Sequence, residues 1–299
     1  MRKHFDLALP SAVLLFLLQQ ATAWVSPPSS ALGSSSSSAF AADVAPNRNR
    51  CFALTAKKSV YDDAPKRSLI IWDCDGVLVD SEALLKQGEV EALAKEGFDG
   101  ITVEDCVRMF SGVSVDTAAE NFKKETGKSI PKDFFPQQIA GSMDLFRARL
   151  QPLMLNTIQK LDNNLQATQC IASGSPKDRV ELCVDVAKMR DYFPSSKVYT
   201  RELVKRGKPA PDLFLHAANE MGYAPEQCVV VEDSSSGIQA ALAAGMEVLG
   251  YLGGGHATAD WYREAIHAFE ESHGITVVYT EDEVYEYLER RTSFVSDKQ

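Results

Sequence analysis

The sequence lacks the features that define several large classes of protein. None of its six cysteines forms a Cys-x-x-Cys pair, which argues against a zinc site, and five remain when Cys51 of the polar leader is set aside. An odd set does not suit a disulfide framework, so we expect reduced cysteines. With 31 basic and 41 acidic residues, the net charge of −10 disfavours nucleic-acid binding, which depends on neutralising phosphates.

The first 60 residues differ in composition from the rest of the chain. Two basic residues precede an apolar run over 7–18, and small residues end it, as in a cleaved signal peptide, here 1–23. The run is shorter than the roughly 20 residues of a membrane span, so we expect no stable membrane insertion. Residues 24–60 are serine-rich and poor in acidic residues, which is typical of a disordered linker and also of a transit peptide.

Together these two segments resemble the two-part presequences of algae whose plastids arose by secondary endosymbiosis. The resemblance implies a plastid location, with secretion as the alternative.

Short apolar runs alternate with helical patterns through the rest of the chain. We predict strands at 69–72, 168–172, 197–199, 228–231, 247–251 and 275–279. Several are apolar throughout, as in strands covered on both faces. Helical patterns stand between them at 176–189, 211–221, 236–244 and 281–291. This alternation predicts an α/β fold with a doubly wound parallel sheet.

The interval between the first and second predicted strands breaks this alternation. Helical patterns at 81–97, 103–110, 115–126 and 136–150 follow one another without a strand. They predict a four-helix cap domain over 85–150, inserted into a core formed by 66–84 and 151–295.

Polar residues follow several of the predicted strands. They are Asp73 and Asp75 after the first strand, Ser173 and Gly174 after the second, Lys208 in a loop before a helix, and Glu232 and Asp233 after the strand at 228–231. Taken singly, each has an ordinary explanation as a turn, a helix cap or a solvated lysine. Because the carboxyl ends of parallel strands meet at one edge of a sheet, we expect these side chains to share a crevice.

The acidic members of this set suit a magnesium site. Mg²⁺ takes oxygen ligands, and we expect them from Asp73, Glu232, Asp233 and the backbone carbonyl of Asp75. With the ion offsetting charge repulsion, Asp73 can attack phosphorus and form an aspartyl-phosphate. Asp75 lies two residues further on the same face of an extended chain, and is placed to act as general acid and then general base.

The remaining members suit phosphate binding. The hydroxyl of Ser173 and backbone N–H groups near Gly174, at a helix start, can hold phosphate oxygens. Lys208 can counter the negative charge that develops during transfer. The sequence therefore predicts a phosphoryl-transfer site.

Four motifs, DCDGVLVDSE, IASGS, RGKPAPD and VVVEDSSSG, resemble those of the haloacid dehalogenase superfamily, in order, over about 69–250. The Asp-x-Asp form is similar to the phosphatase and phosphomutase members. The inserted helices resemble the C1 cap of the β-phosphoglucomutase-like subgroup. The resemblance implies a Rossmann-like core, Mg²⁺ as cofactor and a small phosphate ester as substrate.

The resemblance leaves the choice between a hydrolase and a mutase. Sugar phosphomutases of this type carry a cap-helix histidine and a cap-loop arginine, where this sequence has Leu85 and Val115. This departure favours a phosphatase for a sugar phosphate or phosphosugar acid, similar to 6-phosphogluconate phosphatases. A β-phosphoglucomutase-like mutase and a non-catalytic binding protein are the alternatives. We expect a monomer, and place Ser114, Arg147 and Arg149 as cap residues that could face the substrate.

We assign no function in the site to the glycine run at 253–256. Gly253-Gly254-Gly255-His256 lacks the lysine and hydroxyl of a phosphate-binding loop, and glycine runs mark loops. We predict a mobile connection here.

Overall fold

The computed structural model describes residues 69–110 and 115–291. Its centre is a parallel sheet of β1 Leu69–Trp72, β2 Thr168–Ser173, β3 Val198–Thr200, β4 Cys228–Glu232, β5 Glu247–Tyr251 and β6 Thr276–Val278. The strand order is β3-β2-β1-β4-β5-β6. The chain winds outward from β1 in one direction and from β4 in the other, which opens a crevice between these two strands at their carboxyl ends. The predicted doubly wound sheet is confirmed.

Helices cover both faces of the sheet and form an insertion after β1. They are α1 Ser81–Lys95, α2 Val103–Phe110, α3 Val115–Thr126, α4 Phe134–Arg149, α5 Leu155–Leu165, α6 Lys177–Val186, α7 Asp212–Met221, α8 Ser235–Ala243, α9 Asp260–His273 and α10 Glu281–Arg291.

The strands are apolar throughout because the sheet is buried on both faces. Successive side chains of a strand point to opposite faces. Ile70 and Trp72 of β1 accordingly belong to one buried hydrophobic cluster, and Leu69 and Ile71 belong to another on the opposite face. All four residues are inaccessible to solvent, which fixes the register of β1 between β2 and β4.

The helices α1 to α4 form the predicted cap. A third hydrophobic cluster, separate from the two that flank the sheet, contains Leu93, Phe110, Phe122 and Phe134. The cap therefore has a core of its own. Helix α1 begins at Ser81, beside the sheet, and runs into the cap, so one continuous helix joins the two parts. The boundaries at 85 and 150 remain predictions.

Two helices, α5 and α9, were not predicted. Helix α5 contains Asp162, Asn163 and Asn164, residues with low helix propensity, and packing against α10 compensates for this. Helix α4 begins at Phe134, two residues before the predicted start at Pro136. Proline is tolerated there because the N–H groups of a first turn have no partner within the helix.

The described cysteines, Cys74, Cys106, Cys170, Cys183 and Cys228, are free and buried. Their reduced state remains a prediction. No helix within 69–110 and 115–291 is both long and apolar enough to cross a membrane. The predicted signal peptide and transit-like segment lie outside the described residues.

Candidate active site

Three distant segments meet at the carboxyl end of β1. Asp73 continues the strand, and its N–H donates to the carbonyl of Val231 in β4 at 3.0 Å. The Nζ of Lys208 donates to Asp73 Oδ1 at 2.6 Å and to Glu232 Oε1 at 2.5 Å. These three side chains are all more than nine-tenths buried. The structure thus brings together residues that lie up to about 160 positions apart in the sequence.

Asp73, Glu232 and Asp233, hereafter the carboxylate cluster, offer ligand atoms that all lie within 4.8 Å of one another. Asp73 begins the first motif, and the other two residues lie at and directly after the end of β4, the strand that pairs with β1. Mg²⁺ is held in proteins by one or two carboxylates with water and substrate phosphate, so this donor set fits that ion.

The electrostatics of the carboxylate cluster also fit a cation. Burial raises the pKa of Asp73 well above its ordinary value; Lys208 lowers it, but Glu232 and Asp233 raise it further. Burial raises the pKa of Asp233 to about 6, although His256 acts in the opposite direction. Three buried carboxylates around one ammonium and one histidine are short of positive charge. A divalent cation would restore both aspartates to their ionised forms.

Glu232 is oriented by donors on both of its oxygens. Lys208 occupies Oε1, while the N–H and hydroxyl of Ser234 donate to Oε2 at 2.8 and 2.9 Å. Gly237, in the first turn of α8, makes room for this carboxylate, because a Cβ there would lie 1.7 Å from Oε1. Ser234 also caps α8 by accepting the N–H of Gly237 at 3.1 Å. The last motif, VVVEDSSSG, therefore forms the end of β4 and the start of α8, and its residues hold the carboxylate of Glu232 in place.

Asp75 has a different environment from the carboxylate cluster. Its Oδ1 accepts hydrogen bonds from Ser81 at 2.6 Å and from Arg179 at 2.7 Å, and its Oδ2 accepts one from Ser175 at 2.5 Å. Burial alone would raise the pKa of Asp75, but Arg179 and the two hydroxyls lower it below its ordinary value. The side chain of Asp75 stands outside the cluster. Its expected contact with metal through the backbone carbonyl remains a prediction.

Arg179 is a site residue that the sequence did not reveal. It lies on α6, its guanidinium stacks 5.0 Å from the ring centroid of Phe146 on cap helix α4, and it approaches Glu82 of α1 at 3.8 Å. Arg179 thus connects the acid/base candidate Asp75 with the two helices that lead into the cap. Helix α6 is rich in charged residues, so nothing in the sequence indicates that Arg179 is buried beside Asp75.

The predicted phosphate-binding residues end β2. Ser173 is its last residue, is 1% exposed and accepts the N–H of Ser175 at 3.0 Å. Gly174 lies in the turn that follows. Trp72 pairs with Ile171, so Ser173 is at the same edge of the sheet as Asp73. Their roles in binding phosphate remain predictions.

The three predicted substrate contacts in the cap, Ser114, Arg147 and Arg149, remain predictions. Ser114 lies outside the described residues. Arg147 pairs with Asp144 along α4, and Arg149 pairs with Glu91 of α1, both on the surface. Leu85 is partly buried and packs against the hydrophobic cluster that contains Ile70 and Trp72 of β1.

The prediction that 253–256 is a connection without a place in the site is wrong for His256. Its side chain is buried, and its Nε2 lies 2.8 Å from Asp233 Oδ2. Burial alone would lower the pKa of His256, but the hydrogen bond to Asp233 and the nearby carboxylates raise it above its ordinary value. The position after β5, at the same edge of the sheet as the motifs, is the signal that could have revealed it.

The family of the chain follows from the comparison with known proteins. Residues 70–251 match the model of the haloacid dehalogenase-like hydrolase family. The chain belongs to this family, and the predicted membership is confirmed.

Its relatives include phosphatases. The chain is 27% identical to 6-phosphogluconate phosphatase of Escherichia coli over 62% of its own length and 83% of that protein. It is 29% identical to the chloroplastic protein SUPPRESSOR OF QUENCHING 1 of Arabidopsis thaliana over 63% of its length, but only 18% of that protein. A haloacid dehalogenase family hydrolase of Deinococcus radiodurans, solved with bound phosphate and sodium, is 27% identical, with a TM-score of 0.65 over 76% of this chain and 97% of that one.

Proposed function

We propose that this chain is a Mg²⁺-dependent phosphatase that hydrolyses a small phosphorylated metabolite, a sugar phosphate or phosphosugar acid, through an aspartyl-phosphate on Asp73. One observation carries the proposal: Lys208 and the carboxylate cluster converge on Asp73 at the carboxyl edge of the sheet. The family and the phosphatase relative support phosphoric monoester hydrolysis.

Asp73 is the nucleophile in this proposal. Its Oδ1 is fixed by Lys208, and it stands at the end of a buried strand, where it cannot move far. Mg²⁺ bound by the carboxylate cluster would neutralise charge shared between Asp73 and the phosphate. Lys208 supplies a second positive charge and keeps Glu232 in place. Attack by Asp73 on phosphorus breaks the ester bond and leaves the phosphoryl group on the carboxylate.

Asp75 handles the protons. It gives a proton to the leaving oxygen in the first step. In the second step it takes a proton from the water that attacks phosphorus, and the bond between phosphorus and Asp73 breaks to release inorganic phosphate. In the arrangement described, Arg179 and the hydroxyls of Ser81 and Ser175 hold Asp75 ionised. This state suits the second step, in which a base is required. To act as acid, Asp75 must leave Arg179 and be protonated.

We favour hydrolase activity over mutase activity. The mutase's cap-helix histidine is replaced by Leu85, whose packing against apolar neighbours leaves no group there to hold a second phosphate. A non-catalytic binding protein would not need the charged groups that converge on Asp73.

Phosphate release from a panel of sugar phosphates and phosphosugar acids tests the proposal. We expect release with Mg²⁺, none with EDTA, and none from Asp73→Asn. Asp162→Asn, which changes an exposed aspartate on α5, is the matched control and should behave as the unchanged protein.

Other results on this panel would contradict the proposal. Conversion of β-glucose 1-phosphate to glucose 6-phosphate without phosphate release would identify a mutase. No turnover of any ester would favour the binding protein.

We propose a plastid location and a monomeric state. The location is supported by the composition of 1–60 and by the chloroplastic relative, and the monomer is an expectation from the sequence. A fusion of 1–60 to a fluorescent protein, expressed in an alga with a secondary plastid, should co-localise with chlorophyll; secretion of the reporter would contradict this. Light scattering after size exclusion measures the mass in solution.

A further inference from the structure

A histidine and a tyrosine that no predicted step uses enclose Asp233. His256 Nε2 lies 2.8 Å from Asp233 Oδ2 and 3.1 Å from the hydroxyl of Tyr262. Tyr262, in the first turn of α9, donates to the backbone carbonyl of Asp233 at 3.0 Å and lies 3.4 Å from Oδ2. Both the side chain and the peptide group of Asp233 are therefore held by the segment that follows β5.

The position of His256 is built into the backbone around it. A Cβ on Gly76 would lie 2.7 Å from His256 Cε1 and 2.2 Å from Asp233 Oδ2. A Cβ on Gly254 would also lie 2.7 Å from Cε1. Gly76 has φ +81°, a conformation that favours glycine on its own account. Two glycines from separate loops thus leave a space that the imidazole fills.

The direction of the hydrogen bond follows from the atoms. A carboxylate oxygen accepts, so Nε2 carries the proton and donates it to Oδ2. One oxygen of Asp233 is thereby occupied by a neutral or charged donor, and the other oxygen is left for a cation.

We propose that His256, assisted by Tyr262, is a positioning residue that orients Asp233 for metal binding. The inference rests on the proposed function, since it takes Asp233 as a magnesium ligand. Groups that hydrogen-bond to a metal ligand fix its orientation, and their loss weakens metal affinity by about 10- to 100-fold. A histidine that served only to pack the loop would not change the affinity.

Calorimetric titration of Mg²⁺ into chelator-treated, full-length protein tests the proposal without any substrate. We expect His256→Ala to bind Mg²⁺ about 10- to 100-fold more weakly than the unchanged protein. His256→Gln, which retains an N–H donor, should lose less than His256→Ala. Tyr262→Phe should lose about two- to tenfold, as expected for one hydrogen bond. The control His267→Gln changes a half-buried histidine of α9 that pairs with Glu270, and it should bind as the unchanged protein does.

The outcomes separate this inference from the proposed function. If the unchanged protein binds Mg²⁺ and a folded His256→Ala binds it equally well, the positioning role is wrong and the phosphatase proposal stands. If the unchanged protein binds no Mg²⁺, both are wrong. Circular dichroism of the metal-free variants verifies folding. Should His256→Ala not fold, Tyr262→Phe decides, since it removes only one hydroxyl, and unchanged affinity in that variant would overturn the proposal.

Discussion

Two buried groups of charged side chains lie at opposite edges of the sheet. The carboxylate cluster surrounds Lys208 at the carboxyl edge. At the amino edge, Glu247 begins β5 and accepts two hydrogen bonds from Arg291 of α10, both at 2.7 Å, and a third from Tyr287 at 2.6 Å. Burial does not distinguish the two groups, because Lys208 and Arg291 are 8% and 9% exposed.

The two buried groups differ in their balance of negative and positive charge. Glu247 and Arg291 are one carboxylate and one guanidinium in bidentate geometry, with donors on both oxygens. Such a pair joins β5 to the last described helix. The carboxylate cluster has three carboxylates against one ammonium and one histidine, and burial together with Glu232 and Asp233 raises the pKa of Asp73. The comparison teaches that a balanced buried pair is structural, whereas a surplus of carboxylate indicates a place for a cation.

Asp73→Asn is expected to give the largest effect on this comparison. It removes the nucleophile, so kcat should fall by about 10⁴-fold or more. It also removes one of three neighbouring carboxylates, so the free energy of unfolding of the metal-free protein should not decrease. Phosphate release and urea denaturation measure the two quantities. Activity within about tenfold of the unchanged protein would show that Asp73 is not the nucleophile.

Arg291→Met should lower the stability of the protein and leave its activity unchanged, the opposite of Asp73→Asn. It leaves Glu247 buried without its charged partner, and the free energy of unfolding should fall by about 3–5 kcal/mol. The active site is at the other edge of the sheet, so KM and kcat should stay unchanged at temperatures where the variant is folded. Arg290→Met, which changes the exposed neighbouring arginine, is the control. A loss of kcat without a loss of stability would contradict the assignment of a structural role.

Gly237→Ala should affect both activity and stability. The added Cβ must displace the Glu232 carboxylate, which orients Lys208, and overpacking of this kind costs about 1–3 kcal/mol. The matched control is Gly141→Ala in α4, where a Cβ meets no atom within 4 Å and the substitution favours the helix. Equal stability of the two variants in thermal denaturation would contradict the close packing at Glu232.

The stability of the metal-free protein should fall as pH rises from about 5 to 7. Asp233, with its pKa raised to about 6, keeps its proton in the folded chain at pH values where the unfolded chain has released it. The raised pKa values of Asp73 and His256 act in the same direction. Raising the pH therefore favours unfolding, by on the order of 2 kcal/mol.

Saturating Mg²⁺ should remove this dependence of stability on pH, because the ion stabilises the ionised carboxylates. Urea denaturation at several pH values, with and without Mg²⁺, measures the free energy of unfolding. A metal-free protein that becomes more stable over this range would contradict the raised pKa values.

The sequence predicted the parts of the site that depend on position along a strand. Asp73, Ser173 and Glu232 could be placed at one edge because each follows or ends an apolar run, and parallel strands end together. The alternation of strands and helices predicted the sheet and the inserted cap for the same reason. Both predictions depend only on the local pattern of apolar residues and on the rule that the carboxyl ends of parallel strands meet at one edge of the sheet.

The parts that were missed depend on packing between segments far apart in the chain. Arg179 reaches Asp75 across 104 positions, and only the packing of α6 beside β3 and the cap helix α4 turns it inward. His256 meets Asp233 because two glycines leave space for its ring, which no periodicity reveals. Helix α5 was missed because its polar residues Asp162, Asn163 and Asn164 have low helix propensity, whereas its packing against α10 and the burial of Ile158 and Leu161 depend on tertiary structure.

Anomalous diffraction from crystals soaked in Mn²⁺, a substitute for Mg²⁺, tests the central claim most directly. The account predicts one strong peak within coordination distance of Asp73 and Asp233, at the carboxyl edge, and no peak at Glu247. A peak absent from the carboxylate cluster in crystals soaked at saturating Mn²⁺ would contradict it.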